Sequence, residues 1–409
     1  MKKIIVGQSG GPTAVINSSV AGVYQKAKEL NVEKVYGMVH GIEGFLEENI
    51  IDLDDYLNTE ENIEILKRTP SAFLGSCRYK LPKIEDNEEV YERIFKILEK
   101  YEIDALFYIG GNDSMDTIKM LSDYASLHNK KQKFMGIPKT IDNDLPITDH
   151  CPGYGSAAKY IASSLKEIIR DNASFGAKKP TVCIVEIMGR HAGWLTAAAA
   201  LAKGEDCEGV DAIYLPEVTF DIDKFVTYVK ELSTKKSSIV IAVSEGIMTK
   251  DGKFVCEIGD ENKSVDAFGH KQLSGTASRL ANIIAKETGL KTRAIEFSTL
   301  QRSATHLASL TDINEATNVG ARAVEEANKG NTGMMVTIVR TKENDEYSST
   351  TDVYDIHDIA NVEKKVPMSM IDTKNNTLTD EYLDYARPLI MGELLPIFKN
   401  GLPLHLIRK

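Results

Sequence analysis

Ala105-Leu106-Phe107-Tyr108-Ile109-Gly110-Gly111-Asn112-Asp113-Ser114 opens with an unbroken apolar run that ends in two glycines. A run without alternation is the pattern of a strand buried on both faces. The glycines lead into a helix-length amphipathic stretch, Met115–Leu127, and a second apolar run follows at Phe134–Ile137. Strand, turn, helix and strand at this spacing predict a parallel βαβ unit. The same alternation extends in both directions. Further strands are expected at Lys3–Val6, Lys34–Val39, Thr181–Ile187, Ala212–Leu215, Ser238–Val243, Arg293–Phe297 and Met334–Val339. Helices are expected at Ser18–Leu30, Glu88–Lys100, Ser156–Arg170, Thr276–Lys286 and Asn314–Ala327. The chain therefore reads as a doubly wound α/β protein.

With 409 residues it is too long for one ordinary core, so two domains are expected. A boundary is placed near Asp149–Gly155, where Pro152, Gly153 and Gly155 cluster. The acidic stretch Glu43–Glu64 and the polar stretch Lys342–Asp355 read as surface insertions, either solvated loops or short exposed helices. Hydrophobic content of 42% and charged content of 27% belong to a soluble globular chain. No apolar run reaches the ~18–20 residues of a membrane span, and the N-terminus lacks a signal-peptide core. Five scattered cysteines without CxxC pairing point to a reducing compartment, expected to be the cytoplasm, and argue against a zinc site. A net charge of −11 disfavours nucleic acid and anionic membranes as partners. An anionic substrate would need a locally basic cleft.

In doubly wound folds, ligands bind beyond the carboxyl ends of strands. Four such ends carry unusual residues. Gly7-Gln8-Ser9-Gly10-Gly11-Pro12-Thr13 permits close approach of backbone amides to an anion, although a tight turn without ligand explains it as well. Gly110-Gly111-Asn112-Asp113-Ser114 offers oxygen ligands suited to Mg²⁺ beside a phosphate. Capping by Asn112 or Asp113 is the plainer reading there. Lys139-Thr140-Ile141-Asp142-Asn143-Asp144 places a cation beside two carboxylates, which suit a general base and a metal ligand. Met188-Gly189-Arg190 sets an arginine between glycines before an Ala-rich helix, a place to hold an anion. His191 reads as structural or solvent-facing, and Trp194 as core.

Together with Ser244-Glu245-Gly246 and Gln301-Arg302-Ser303, these motifs resemble the 6-phosphofructokinase family, in family order from residue 1 to about 340. The resemblance implies two doubly wound Rossmann-like α/β domains with the active site in the cleft between them. The phosphoryl-donor domain would hold residues 1–150 and about 300–370, and the fructose 6-phosphate domain about 151–299 and 371–409. It further implies that Asp142 is the base acting on the sugar 1-hydroxyl. Asp144 would lie near Mg²⁺, and Thr140 would contact sugar or phosphoryl oxygen. Met188, Gly189 and Arg190 would form the sugar-phosphate clamp, with Glu245 on a sugar hydroxyl. Arg293 and Arg302, nine apart, would hold the 6-phosphate, and Arg78 would reach the transferred phosphoryl group.

Two departures bear on the donor. ATP-using members read Gly-Gly-Asp-Gly-Ser and Pro-Gly-Thr-Ile-Asp, where this chain has Asp113 and Lys139. A carboxylate at Asp113 occupies and repels the place of a nucleotide α-phosphate. Lys139 adds a cation beside a compact pyrophosphate. Both changes characterise the pyrophosphate-dependent branch, in which Gly10, Gly11, Asp113 and Ser114 would line the donor, and Asp113 and Asp144 the metal. Asn112 stands where the family has Asp, and Thr299 where it has His. Near Thr181, where a neighbouring subunit often supplies Arg, Lys178 and Lys179 are possible substitutes. Such shared sites imply a homodimer or homotetramer. An ATP-dependent kinase, or a non-catalytic sugar-phosphate or nucleotide-binding regulator on the same fold, are the alternatives.

Overall fold

In a computed structural model, which describes residues 1–175, 179–258, 274–359 and 362–408, every expected strand and helix forms, with ends shifted by a few residues. The strands relevant here are β1 (Lys3–Gln8), β2 (Lys34–Met38), β3 (Ile50–Asp52), β4 (Ala105–Gly110), β5 (Lys133–Pro138), β6 (Thr181–Ile187), β7 (Ala212–Tyr214), β8 (Ser238–Ser244), β9 (Lys291–Glu296), β10 (Met334–Glu343) and β11 (Glu346–Asp355). They form a seven-stranded sheet, β11-β10-β5-β4-β1-β2-β3, and a four-stranded one, β7-β8-β6-β9. The second is all parallel, and in the first only the outer strands β11 and β3 run antiparallel. Every residue of β4 is buried, as its unbroken apolar run predicts.

The chain divides into two compact units, each built on one of these sheets. One is Met1–Ser156 with Arg302–Glu363 and Met391–Lys409, and the other is Ala157–Gln301 with Lys364–Ile390. The first crossing lies beside the Pro-Gly cluster. The final segment corrects an expectation, because 391–409 packs on the first unit, not the second. Arg68 Nε donates to the Leu395 carbonyl at 2.8 Å, and Leu406 N–H to Thr69 Oγ1 at 2.9 Å.

Neither proposed insertion is a solvated loop. Within 43–64, Phe45, Leu53, Leu57 and Ile63 are buried in the first unit's cores, and β3 extends its sheet. The polar stretch 342–355 is mostly β11, which pairs along the whole of β10 from Met334↔Asp355 to Glu343↔Glu346. An edge strand with one wet face needs few apolar residues, which hid it in the sequence.

Helices Ile16–Glu29 and Leu310–Lys329 meet backbone to backbone. A Cβ at Gly22 would collide with the Thr317 carbonyl, and one at Gly320 with the Ser19 carbonyl. Gly22→Val is expected to lower stability by at least ~2 kcal/mol, since backbone cannot give way as a side chain does. An unchanged urea midpoint would contradict that contact.

Candidate active site

In the first unit, the loops after β1, β4 and β5 lie side by side at their strands' carboxyl ends, because these strands are parallel neighbours. Ser9 N–H donates to the Ile109 carbonyl at 2.9 Å, and Lys139 N–H to the Gly110 carbonyl at 3.0 Å. Gly10 has φ +73°, a region that costs other residues strain. Its N–H is committed to the Cys77 carbonyl at 3.1 Å, and its own carbonyl accepts from Ser76 Oγ at 2.6 Å. An open pair of amides at Gly10 and Gly11 is therefore not what forms. The Gly10 contacts instead bring the 74–78 segment against the loop and set the exposed Arg78 at its border.

Lys139 is 3% exposed and lies under the first loop, with Nζ donating to the Gly11 carbonyl at 2.7 Å. Burial draws its ammonium down to about 8, against the charges of Asp142 and Asp144, which hold it up. Arg302 belongs to this group too. Its guanidinium stands 3.3 Å from where a Gly11 Cβ would be, and its charge adds to the depression of Lys139. Arg302 thus sits with the donor loops. Arg293, expected beside it on one phosphate, lies in the other unit.

Asp113 is exposed in the first turn of helix Asn112–Leu127, whose start has no side-chain cap, so neither Asn112 nor Asp113 serves as the cap the plainer reading expected. An open helix start of this kind favours an anion. A Cβ at Gly111 would meet only the Lys139 carbonyl, 3.7 Å away, so packing does not demand glycine there, whereas Gly110 is required by the buried Ser114. Asp142 N–H donates to Thr140 Oγ1 at 3.0 Å. Burial, and then the charge of Asp142, push the Asp144 carboxyl up to about 7.

Two adjacent carboxylates that resist joint ionisation, with the buried and unpartnered Oδ1 of Asn112 on the neighbouring loop, fit a hard divalent cation. Among the described residues no three His, Cys, Asp or Glu side chains form a ready cage.

In the second unit, Met188-Gly189-Arg190 follows β6 and Glu245 follows β8. Gly189, at φ +138°, receives Ser244 Oγ on its carbonyl at 2.5 Å and donates its N–H to Glu245 Oε1 at 3.3 Å. Gly246 is obligatory because a Cβ would collide with the Arg190 carbonyl. These four residues are brought together. Arg293 is not among them: it pairs with Cys183, four residues before the end of β6, or ~13 Å back along the strand. There it is ion-paired with Asp171 at 3.1 Å and lies over the Phe175 ring. Lys178 lies outside the described residues. Trp194 is core, with Nε1 donating to the Lys364 carbonyl at 2.9 Å.

A phosphofructokinase profile matches residues 3–327. The chain belongs to the phosphofructokinase family. It is 42% identical to the pyrophosphate--fructose 6-phosphate 1-phosphotransferase of Methylococcus capsulatus, over 97% of this chain and 93% of that one. Identity to the enzyme of the same name from Halomonas elongata is 41%, over 97% and 93%. A solved pyrophosphate-dependent phosphofructokinase from Nitrosospira multiformis superposes with TM-score 0.87 at 38% identity, covering 98% of this chain and 95% of that one.

Some supporting residues of this phosphofructokinase were not singled out by sequence. Gln8 and Asn17, both fully buried, tie the first loop to the segment that carries Arg78. Gln8 Oε1 accepts from Leu74 N–H at 2.8 Å, and Asn17 Oδ1 accepts from Phe73 N–H at 2.8 Å. Gln301 Oε1 accepts from Met188 N–H at 3.3 Å. Their only signal was an amide side chain beside a glycine loop or within a motif.

Proposed function

We infer that the protein moves a phosphoryl group from pyrophosphate to the 1-hydroxyl of D-fructose 6-phosphate, giving fructose 1,6-bisphosphate and phosphate in a reversible reaction. The observation that carries the donor assignment is the buried ammonium of Lys139, directed at the first glycine loop and flanked by Arg302. Two fixed cations in this small space suit a compact polyanion better than a nucleotide. Asp113 at the open helix start adds a side chain and a charge where a longer donor would extend.

In this mechanism Asp142 accepts the proton of the sugar 1-hydroxyl as its oxygen attacks the near phosphorus. The bridging P–O bond breaks, and phosphate leaves beside Lys139 and Arg78. Thr140 orients Asp142 and the reacting oxygen. Asp144 and Asp113, with the Asn112 carbonyl oxygen near them, would hold Mg²⁺, which supplies charge neutralisation of the phosphate oxygens. Arg190, Met188, Gly189 and Glu245 bind the sugar phosphate, while Gly10, Gly11 and Ser114 shape the donor pocket. Positioning and electrostatics dominate such transfers. A site shared between copies, in which Arg293 would serve the partner's sugar phosphate, suits a homodimer or homotetramer. The scattered cysteines without CxxC pairing favour a cytoplasmic enzyme, and no described helix is long and apolar enough to cross a membrane.

A coupled assay with ATP and pyrophosphate at equal concentration tests the donor. Turnover with pyrophosphate should exceed that with ATP by at least ~10²-fold, the cost of seating a donor against misplaced charge. A preference for ATP would overturn the assignment. Absence of turnover with either donor would favour a binding regulator.

A further inference from the structure

Between β5 and helix Tyr154–Ser174 the chain makes a long excursion, 139–153, that carries Lys139, Thr140, Asp142 and Asp144 without regular structure. Such loops are mobile unless something holds them. One hold is local. Thr140 N–H donates to the Pro152 carbonyl at 3.2 Å, and the buried Asn143 accepts from Cys151 N–H at 2.9 Å. The other is a closed ring of side chains outside the reaction centre. His150, 1% exposed, lies between Asp149 Oδ1 at 2.8 Å and Glu315 Oε2 at 2.6 Å. Tyr347 donates its hydroxyl to Glu315 Oε1. Arg340 holds both oxygens of Asp149 at 3.0 Å, and its guanidinium lies 4.8 Å from the Tyr347 ring centre. The ring joins the loop to helix Leu310–Lys329, β10 and β11.

Taking the reaction-centre assignment above as its premise, we propose that this ring of Asp149, His150, Glu315, Tyr347 and Arg340 is a positioning device that holds the loop so that Asp142 meets the acceptor hydroxyl.

Three observations support it. Ile147, a β-branched residue, has φ +69°, a strained conformation that persists only where its surroundings impose it. The residues that follow it are bonded to β10. Asp149 N–H donates to the Ile338 carbonyl, and Ile338 N–H to Thr148 Oγ1, each at 2.9 Å. Next, the groups facing His150 suit a charged ring. Burial alone would discharge it, but Glu315 and Asp149 outweigh burial and lift it to about 9. Burial works against ionised Asp149 and Glu315 as well, and is outweighed by His150, with Arg340 aiding Asp149 and Tyr347 aiding Glu315. Asp312, one turn before Glu315, takes Gly153 N–H and Ser156 N–H, at 2.9 and 2.8 Å, and fixes the far end of the loop. Finally, removing one member of a buried charged network leaves the others uncompensated, so the ring acts as a unit. Because the His150 pKa is raised, its contribution is complete below ~6.5 and lost as pH rises through about 9.

The test uses His150→Gln and Tyr347→Phe in the full-length enzyme, with kcat, both KM values, Tm and hydrogen exchange measured. A displacement near 1 Å at a reacting group costs up to ~10²-fold. His150→Gln should lower kcat by ~10-fold or more, with both KM values within ~3-fold, and speed exchange of the 140–149 amides but not those of β1. Tyr347→Phe should show the same pattern more weakly. An unchanged kcat with only a lower Tm, or a loss confined to KM, would overturn the proposal. If His150→Gln does not fold, the same outcomes for Tyr347→Phe decide. If the wild-type enzyme turns over neither donor, the premise has failed, and unchanged loop exchange in the variants would separately sink the positioning role.

Discussion

Asp142→Ser is expected to lower kcat by at least ~10²-fold, the usual contribution of a positioned general base. The substitution separates proton acceptance from charge. Asp142 shares its site with Asp144, whose carboxyl is pushed up to about 7 by burial and by Asp142 itself. Once Asp142 is neutral, Asp144 ionises at lower pH and restores one negative charge near Lys139. Binding of pyrophosphate and metal should change little, and KM for pyrophosphate is expected within ~3-fold of the parent. The loop itself should survive, because the Asp142 N–H bond to Thr140 Oγ1 is made by backbone. Steady-state kinetics with both substrates check this. Near-normal turnover would remove Asp142 from the role of base, and a loss appearing only in KM would make it a binding group.

The second large effect is expected at Lys139. Lys139→Met keeps the length of the side chain and removes its charge, and kcat/KM for pyrophosphate should fall by ~10²–10³-fold, as for loss of one donor at a developing anion. The ammonium is 3% exposed, and at 2.7 Å from the Gly11 carbonyl it also pins the first loop. Both kcat and KM are therefore expected to move. The pH dependence distinguishes charge from shape. Burial lowers the folded pKa from 10.5 to about 8, so the free enzyme loses this cation as pH rises through that value. KM for pyrophosphate should climb above about pH 8 in the parent and stay flat there in Lys139→Met. Because the pKa is depressed, the charged lysine is a cost to the folded state. Removing it should not lower Tm as losing a stabilising ion pair would. A large drop in Tm, or the same rise in KM in Lys139→Met, would contradict the assignment.

Much of the frame was legible because strands buried on both faces must be apolar throughout. The runs at 3–6 and 105–109 were followed directly by glycine and then by a helix period. Polar edge structure was not legible. Residues 342–355 contain Tyr347, Thr350, Thr351, Val353 and Tyr354, types that favour strands, yet charge and serine dilute them. Reading that stretch as an insertion hid the strand that brings Tyr347 to Glu315.

The arginines show the same division. The family resemblance implied that Arg293 and Arg302 hold one phosphate, and local sequence says nothing of where each arginine lies. In the fold, Arg293 stands on an edge strand well short of its carboxyl end, and Arg302 lies against Gly11. The sequence alone determined the α/β class, the family and the residue types at the strand ends, because those follow from local runs and motif order. Tertiary structure decided which cation is buried beneath which loop, which amide of Gly10-Gly11 is already taken, and what holds the loop of Asp142. Those depend on contacts such as His150 with Glu315, 165 residues apart, which no local pattern records.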